Sequence, residues 1–455
     1  MTPVIAIVGR PNVGKSTLFN RLVGSRVALV DDRPGVTRDR HYGTADLLGR
    51  EAIIVDTGGF EPDPSADELF AKIRVQAEAA IQEADVILFV VDRQTGLTPA
   101  DRMTANILRR LGAEDKLLVV VNKCDGPMHE EDAVEFWALG LGDELLTISA
   151  EHGRGIYELY DAMAARLPEP GPDPDEDEEN GEIRVAVIGR PNIGKSTLIN
   201  RLVGEDRHVV HDMPGTTMDA VDSVWTDENG QVWRFVDTAG VRRRARIGDK
   251  LESFATARAI RTIERCHVSL LMLDGIEGIT AQDARLAGLI EDRGRACVIL
   301  ANRWDLAKNN DEVSSKEIAY QVTHDLPHVS WAPVLYISAL TGKGCHRILP
   351  SVRRIYKQFD KRINTSALNK WLEHTLAAHP PPQKHHHRVR LNYMTQHRVR
   401  PPSFIIWSNS PDAIEKPYKR YLQNRLREAF GFEGTPLRVK IKQKRRPWDN
   451  DEDGA

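Results

Sequence analysis

Cysteine is scarce in this 455-residue chain: Cys124, Cys266, Cys297 and Cys345 are the only four, and no two stand in C-x-x-C spacing. Neither a zinc site nor a disulfide framework is therefore indicated. Long hydrophobic runs are also missing, so no stretch is a candidate membrane span. The N-terminus enters a strand almost at once instead of presenting a signal peptide, so export is not expected and a cytoplasmic protein is. A large excess of either sign of charge is also absent overall, with a formal net charge of −4. What remains is a chain with 41 % hydrophobic residues, enough for ordinary cores, and a length that fits three domains at about 150 residues each.

Within that chain one phosphate-loop pattern occurs twice, 180 residues apart. The copies are Gly9, Arg10, Pro11, Asn12, Val13, Gly14, Lys15, Ser16 and Gly189, Arg190, Pro191, Asn192, Ile193, Gly194, Lys195, Ser196, each running into a helix start at Thr17 or Thr197. The glycines let successive N–H groups face the phosphates, and the helix behind adds its positive dipole end. Lys15 and Lys195 are expected on the β and γ phosphates, and Ser16 and Ser196 as hydroxyl ligands of Mg2+. Short β-branched runs, 4–8 and 184–188, precede the loops as buried parallel strands should. Two nucleotide sites in one polypeptide follow.

Each half then carries a second strand that is expected to end in a carboxylate. These read Asp56, Thr57, Gly58, Gly59 with Phe60 next, and Asp237, Thr238, Ala239, Gly240 with Val241 next. As D-x-x-G elements, Asp56 and Asp237 would hold Mg2+ through a water, and the N–H of Gly59 or Gly240 would bond the γ phosphate. Thr37 and Thr217, also 180 residues apart, are the candidates to complete the magnesium shell from a switch loop; a turn threonine without a metal role is the alternative. Phe60 and Val241 stand where a Ras-like enzyme places its water-orienting glutamine, so slow intrinsic hydrolysis or another device is implied. Asn12 and Asn192 offer one, a monovalent cation such as K+ held beside the phosphates; the alternative is that both only stabilise the loop turn.

Base identity comes from Asn122, Lys123, Cys124, Asp125 after the apolar run 117–121. The Asp125 carboxylate can accept N1–H and the 2-amino hydrogen of guanine, donors that adenine lacks, and discrimination of roughly 10⁴ is reasonable on that basis. Ser149 and Ala150, and in the second half Ser338 and Ala339, are expected to offer a backbone N–H to guanine O6. The second half reads Asn302, Arg303, Trp304, Asp305, with Arg where Lys is usual. Guanine selectivity should survive because Asp305 remains, while affinity and exchange are more open. Together these motifs specify GTP and GDP rather than ATP.

The stretch 168–182 is Pro-rich and acidic and is expected to be an extended linker, with mimicry of nucleic acid as the alternative. Residues 1–360 hold 43 Lys and Arg against 57 Asp and Glu, whereas 361–447 hold 19 against 5. So basic a small module suggests RNA, or docking on the acidic domains of the same chain. Its expected elements are a helix 366–379, strands 388–393 and 403–407, a helix 415–430 and a strand 437–441. That α-β-β-α-β order resembles a KH-like fold. Gly431, Phe432, Glu433, Gly434 matches the G-x-x-G of RNA-clamping KH domains, but Glu433 sits where phosphate would, so an RNA role for this loop is discounted. His385, His386 and His387 beside Lys384 read as a basic turn, not a metal site. Arg242, Arg243 and Arg244 are an interaction candidate or solvated switch-loop charge.

With these residues in hand, the chain resembles the Der (EngA) family of bacterial double GTPases over nearly its whole length. The resemblance implies an α/β architecture of two tandem P-loop GTPase (G) domains with mostly parallel, doubly wound sheets and a C-terminal KH-like α/β domain. Expected boundaries are 1–167 and 183–357 for the G domains, 358–447 for the basic domain and 448–455 for an acidic tail. It also implies potassium-stimulated GTP hydrolysis, a role in assembly of the large ribosomal subunit, and rRNA contact through the C-terminal domain of a monomer. The alternative is a GTPase in tRNA modification or membrane-associated signalling, disfavoured because no amphipathic anchor and no additional catalytic domain are present.

Overall fold

The computed structural model describes residues 1–24, 42–58, 66–126, 129–169, 181–204, 222–238, 252–307, 314–382 and 389–443. Thr37, Gly59, Phe60, Thr217, Ala239, Gly240, Val241, Arg242 to Arg244, His385 to His387 and linker residues 170–180 lie outside them. The chain divides into two compact units, 1–172 with 244–261, and 173–243 with 262–455. Among the described residues, no helix is long and apolar enough to cross a membrane.

The first unit is built on strands β1 (Val4–Val8), β2 (Tyr42–Leu47), β3 (Arg50–Asp56), β4 (Val86–Asp92), β5 (Leu117–Asn122) and β6 (Leu145–Thr147). Their spatial order is β2-β3-β1-β4-β5-β6. Only β2 runs antiparallel to its neighbour. Every residue of β1, β4 and β5 is buried, as strands covered on both faces require. Its helices include α1 (Lys15–Gly24), α2 (Ala66–Glu83), α3 (Pro99–Arg110) and α4 (Ile156–Arg166). Helix α3 starts where its sequence says it should: Thr98 and Asp101 form a capping box around Pro99, and Arg109 and Arg110 sit in the last turn.

The second unit repeats this plan with β7 (Ile183–Gly189), β8 (Ser223–Thr226), β9 (Val232–Phe235), β10 (Val268–Asp274), β11 (Ala296–Asn302) and β12 (Val334–Tyr336). The order is β12-β11-β10-β7-β9-β8, with only β8 antiparallel to its neighbour. Its helices include α5 (Lys195–Gly204), the end of α6 (Glu252–Arg265), whose residues up to Arg261 fall in the first unit, α7 (Ala281–Asp292), α8 (Ser315–Asp325) and α9 (Ile348–Phe359). Helix α7 opens on the same device as α3, a Thr280–Asp283 capping box. At the sheet edge Trp225 stacks on Phe235 at 4.9 Å and on Trp233 at 6.2 Å, and all three are fully buried.

The C-terminal part of this unit is α10 (Thr365–Ala378), β13 (Leu391–Arg398), β14 (Ser403–Ser408), α11 (Lys416–Phe430) and β15 (Arg438–Gln443), in the α-β-β-α-β order. Leu368 and Leu372 of α10 and Tyr418, Leu422 and Leu426 of α11 share one core with Met394, Phe404 and Ile406. The first strand corrects the sequence reading: it begins at Leu391, not Arg388, and runs to Arg398. Its polar half hid it, because Gln396 is buried and engaged. Gln396 Oε1 accepts from the Ile363 N–H at 2.7 Å, and its Nε2 donates to Lys361 O at 2.9 Å.

Gly431 to Gly434 is docked on the GTPase-like part of the same unit. Gly434 N–H donates to Trp331 O at 3.2 Å, and Gly434 O accepts from Cys297 N–H at 2.9 Å. A Cβ on Gly434, whose φ is 66°, would lie 2.7 Å from the Ile355 side chain. Phe432 is fully buried, and Glu433 pairs with Arg354 at 3.2 Å. The discounting of this loop as an RNA clamp thus has a physical ground: a peptide N–H that would face phosphate is already bonded.

Candidate functional site

In an open parallel sheet, ligands collect beyond the carboxyl ends of the strands. In the first unit those ends deliver the phosphate loop after β1, Asp56 at the end of β3, Asp92 at the end of β4, Asn122 at the end of β5 and Ser149 after β6. Asn122 ties three of these together. Its Nδ2 donates to Val13 O in the phosphate loop at 2.9 Å, and its Oδ1 accepts from Ala150 N–H at 3.0 Å. Asn302 repeats both bonds, to Ile193 O at 2.8 Å and from Ala339 N–H at 2.8 Å. Gly14 and Gly194 must be glycine here: φ is 92° and 101°, and a Cβ on Gly194 would stand 2.7 Å from Asn302 Nδ2.

In this structure the Ala150 and Ala339 N–H groups donate to the Asn122 and Asn302 carboxamide oxygens. The Asp125 carboxylate is oriented by Ser149 Oγ, which donates to it at 2.7 Å. Cys124 and Thr57, counted among the nucleotide residues, turn inward. Cys124 is buried, and Thr57 Oγ1 donates to Ile7 O at 2.8 Å beneath the pocket. Trp304 occupies the place of Cys124 in the second half, its backbone N–H donating to Ile337 O at 3.0 Å and its ring 4.5 Å from that of Tyr336.

Lys15 Nζ donates to Gly9 O and Arg10 O, each at 2.8 Å, and Lys195 Nζ to Gly189 O at 2.8 Å and Arg190 O at 2.5 Å. The ammonium is thus held inside the curl of its loop. Burial pushes the Lys15 pKa down to about 8; Asp56 opposes the fall and Arg10 adds to it. Asn12 and Asn192 have φ of 65° and 60°, a left-handed turn that Asn tolerates better than most residues.

The two halves differ at the residues expected to hold magnesium. Ser16 Oγ donates to Asp56 Oδ2 at 2.8 Å, and Asp56 Oδ1 accepts from Gly58 N–H at 2.8 Å. A hydroxyl and a buried, oriented carboxylate converge, which is a donor set that fits a hard cation. In the second half the expected strand stops at Phe235, two residues short of Asp237. Asp237 follows in a left-handed turn with φ of 59°, and its carboxylate accepts from Thr262 Oγ1 at 3.2 Å.

Three interactions that motif reading overlooked recur in both halves. Lys123 Nζ pairs with Asp92 at 2.7 Å, and Arg303 with Asp274 at 2.8 Å, both cations at positive φ (67° and 61°). Arginine in the second motif therefore keeps lysine's ion pair and backbone. Arg10 pairs with Asp101 at 3.4 Å and Arg190 with Asp283 at 3.2 Å, so each phosphate loop is tied to the capping box of the next helix. Arg21 donates to the Ala150 and Glu151 carbonyls, and Arg201 to Ala339 O at 2.9 Å and Leu340 O at 2.6 Å. The signal was available in the near-identity of 9–24 and 189–204 and in the two apolar strands ending in Asp92 and Asp274.

Residues 4–123 and 184–303 match the family model of the 50S ribosome-binding GTPase, and 362–442 match the KH-domain-like C-terminal model of EngA bacterial GTPase enzymes. The chain belongs to the Der family of GTPases. Family members named GTPase Der include that of Syntrophotalea carbinolica, 46 % identical over 97 % of this chain and 99 % of the relative. Those of Caldanaerobacter subterraneus (45 %, 97 % and 98 %) and a Bradyrhizobium species (46 %, 98 % and 98 %) are similar over comparable spans. Two GTP-binding domains and a KH-like domain are therefore the architecture of this Der-family chain.

Proposed function

We propose that this protein hydrolyses GTP to GDP and phosphate at both pockets and serves as a nucleotide-dependent factor in assembly of the large ribosomal subunit. The observation that carries the reading is the repeated asparagine link, Val13–Asn122–Ala150 and Ile193–Asn302–Ala339, which joins phosphate loop to base loop in each half. Lys15 and Lys195 leave their loop carbonyls for the β and γ phosphates, and Asp125 and Asp305 accept the guanine donors. Ser16 with Asp56, and Ser196 with Asp237, would hold magnesium, together with Thr37 and Thr217 from the switch loops. Bound magnesium neutralises charge on the β and γ phosphates. Gly59 and Gly240 sense the γ phosphate through their N–H groups, so that switch order follows the nucleotide.

Hydrolysis is slow without a partner and is stimulated by potassium at Asn12 and Asn192. Turnover faster in K+ than in Na+ is the expected result; equal rates would leave both asparagines with the turn role alone. The protein acts as a cytoplasmic monomer, and its basic C-terminal domain contacts rRNA. Co-sedimentation with large ribosomal subunits, stronger with a GTP analogue than with GDP, tests the reading. Equal co-sedimentation in both states, or none, would refute it.

A further inference from the structure

The C-terminal sheet buries one face under α10 and α11. On the opposite face, strand register sets Tyr393, Trp407 and Lys442 in one row and Thr395, Ile405 and Lys440 in the next. The Tyr393 and Trp407 rings lie 5.5 Å apart, tilted by 44°. Tyr393 is 46 % exposed, and both lysines are exposed. The three strands contain Arg398, Arg438, Lys440 and Lys442 and neither Asp nor Glu. Arg438 is engaged elsewhere, donating to Glu291 O at 2.8 Å and Asp292 O at 2.6 Å, which leaves Lys440 and Lys442 beside the aromatic pair.

We propose that this face, centred on Tyr393, Trp407, Lys440 and Lys442, is a stacking platform for unpaired RNA bases. The proposal rests on the reading above that the C-terminal domain contacts RNA, and it moves the contact from the G-x-x-G groove to the sheet. That groove is closed by docking, since Gly434 is hydrogen-bonded on both sides and Phe432 is buried. Bases stack on any aromatic face, and ammonium groups two residues apart on a strand lie roughly 6.6 Å from each other, comparable with successive phosphates. The centre of a protein-docking face is depleted of charge. Here lysines adjoin the rings, and Ile405 is the one aliphatic side chain of the two rows.

The test uses the full chain and a labelled twelve-nucleotide unpaired RNA of mixed sequence, with its duplex as comparison. The single strand should bind more tightly than the duplex. Trp407→Ala should weaken it about 10-fold or more, while Trp407→Phe retains binding and controls for folding. Lys440→Glu with Lys442→Glu should weaken binding and reduce the salt slope by about 1.4. Glu433→Gln, in the docked loop, should change nothing. Wild-type affinity in both the Trp407→Ala and the double-lysine variants would overturn the platform while leaving RNA binding in place elsewhere. No binding by the unaltered chain would remove the RNA reading itself. Unchanged oligonucleotide affinity with lost co-sedimentation of large subunits would assign the face to a protein and overturn the proposal.

Discussion

Asp92→Asn changes one atom type at a residue outside the recognised nucleotide motifs, yet it should weaken guanine nucleotide binding in the first pocket. Asp92 is 2 % exposed and 2.7 Å from Lys123 Nζ, with Arg10 at 3.9 Å. At an effective dielectric constant of 20, the gross attraction to Lys123 is about 6 kcal/mol. Most of that is offset by desolvation, and the Lys123 side chain is 32 % exposed, so the net loss is smaller, about 1–2 kcal/mol. Asparagine can still accept from Gln94 N–H, bonded to Asp92 at 2.8 Å, so the turn survives and the lost charge is isolated. Lys123, at φ 67°, would then hold its loop without a partner, and part of the ordering cost would fall on binding. GDP affinity should drop about 5- to 30-fold, read by titration calorimetry in a Lys195→Ala background so that only the first pocket reports. Asp274→Asn should cost less, because Arg303 is 42 % exposed. Affinity unchanged within about twofold for Asp92→Asn would refute the reasoning.

Other outcomes follow from the same geometry. Asn122→Ala strands the buried Val13 carbonyl and Ala150 N–H, and should lower unfolding free energy by about 2–4 kcal/mol in denaturant titration of the nucleotide-free protein. Lys15, whose pKa is down to about 8, binds phosphate as the ammonium. GDP affinity at the first pocket should hold below pH 8 and fall as pH rises through it, with proton uptake on binding measured in buffers of different ionisation enthalpy. Without nucleotide the sign reverses: the unfolded chain binds more protons between about pH 8 and 10.5, so this lysine's burial cost is relieved over that window. Gly434→Ala meets Ile355 at a left-handed φ, and should cost about 1–3 kcal/mol in thermal unfolding and speed proteolysis between the second G domain and the C-terminal domain.

The buried strands were legible because parallel strands covered on both faces must be apolar throughout, as in Val86 to Val91 and Leu117 to Val121. The phosphate loops were legible because the chemistry fixes glycine, lysine and serine at set spacing. Less visible was what holds the loops in register. Asp92, Asp101, Arg10 and Arg21 act through partners distant in sequence, and only the strand ends bring them together. The far half of β13 was missed because Gln396, polar by composition, is buried with its carboxamide bonded to Ile363 N–H and Lys361 O. The unequal setting of Asp56 and Asp237 also escaped the sequence, since both follow the same pattern and differ only in where the strand ends.

Two guanine-specific pockets built on one repeated frame are the claim from which the rest derives. Calorimetric titration of the nucleotide-free protein with GDP and then ADP in the presence of magnesium tests it directly. The account predicts two GDP per chain and ADP binding weaker by roughly 10⁴ at each pocket. One GDP per chain, or ADP bound within about tenfold of GDP at either pocket, would contradict it.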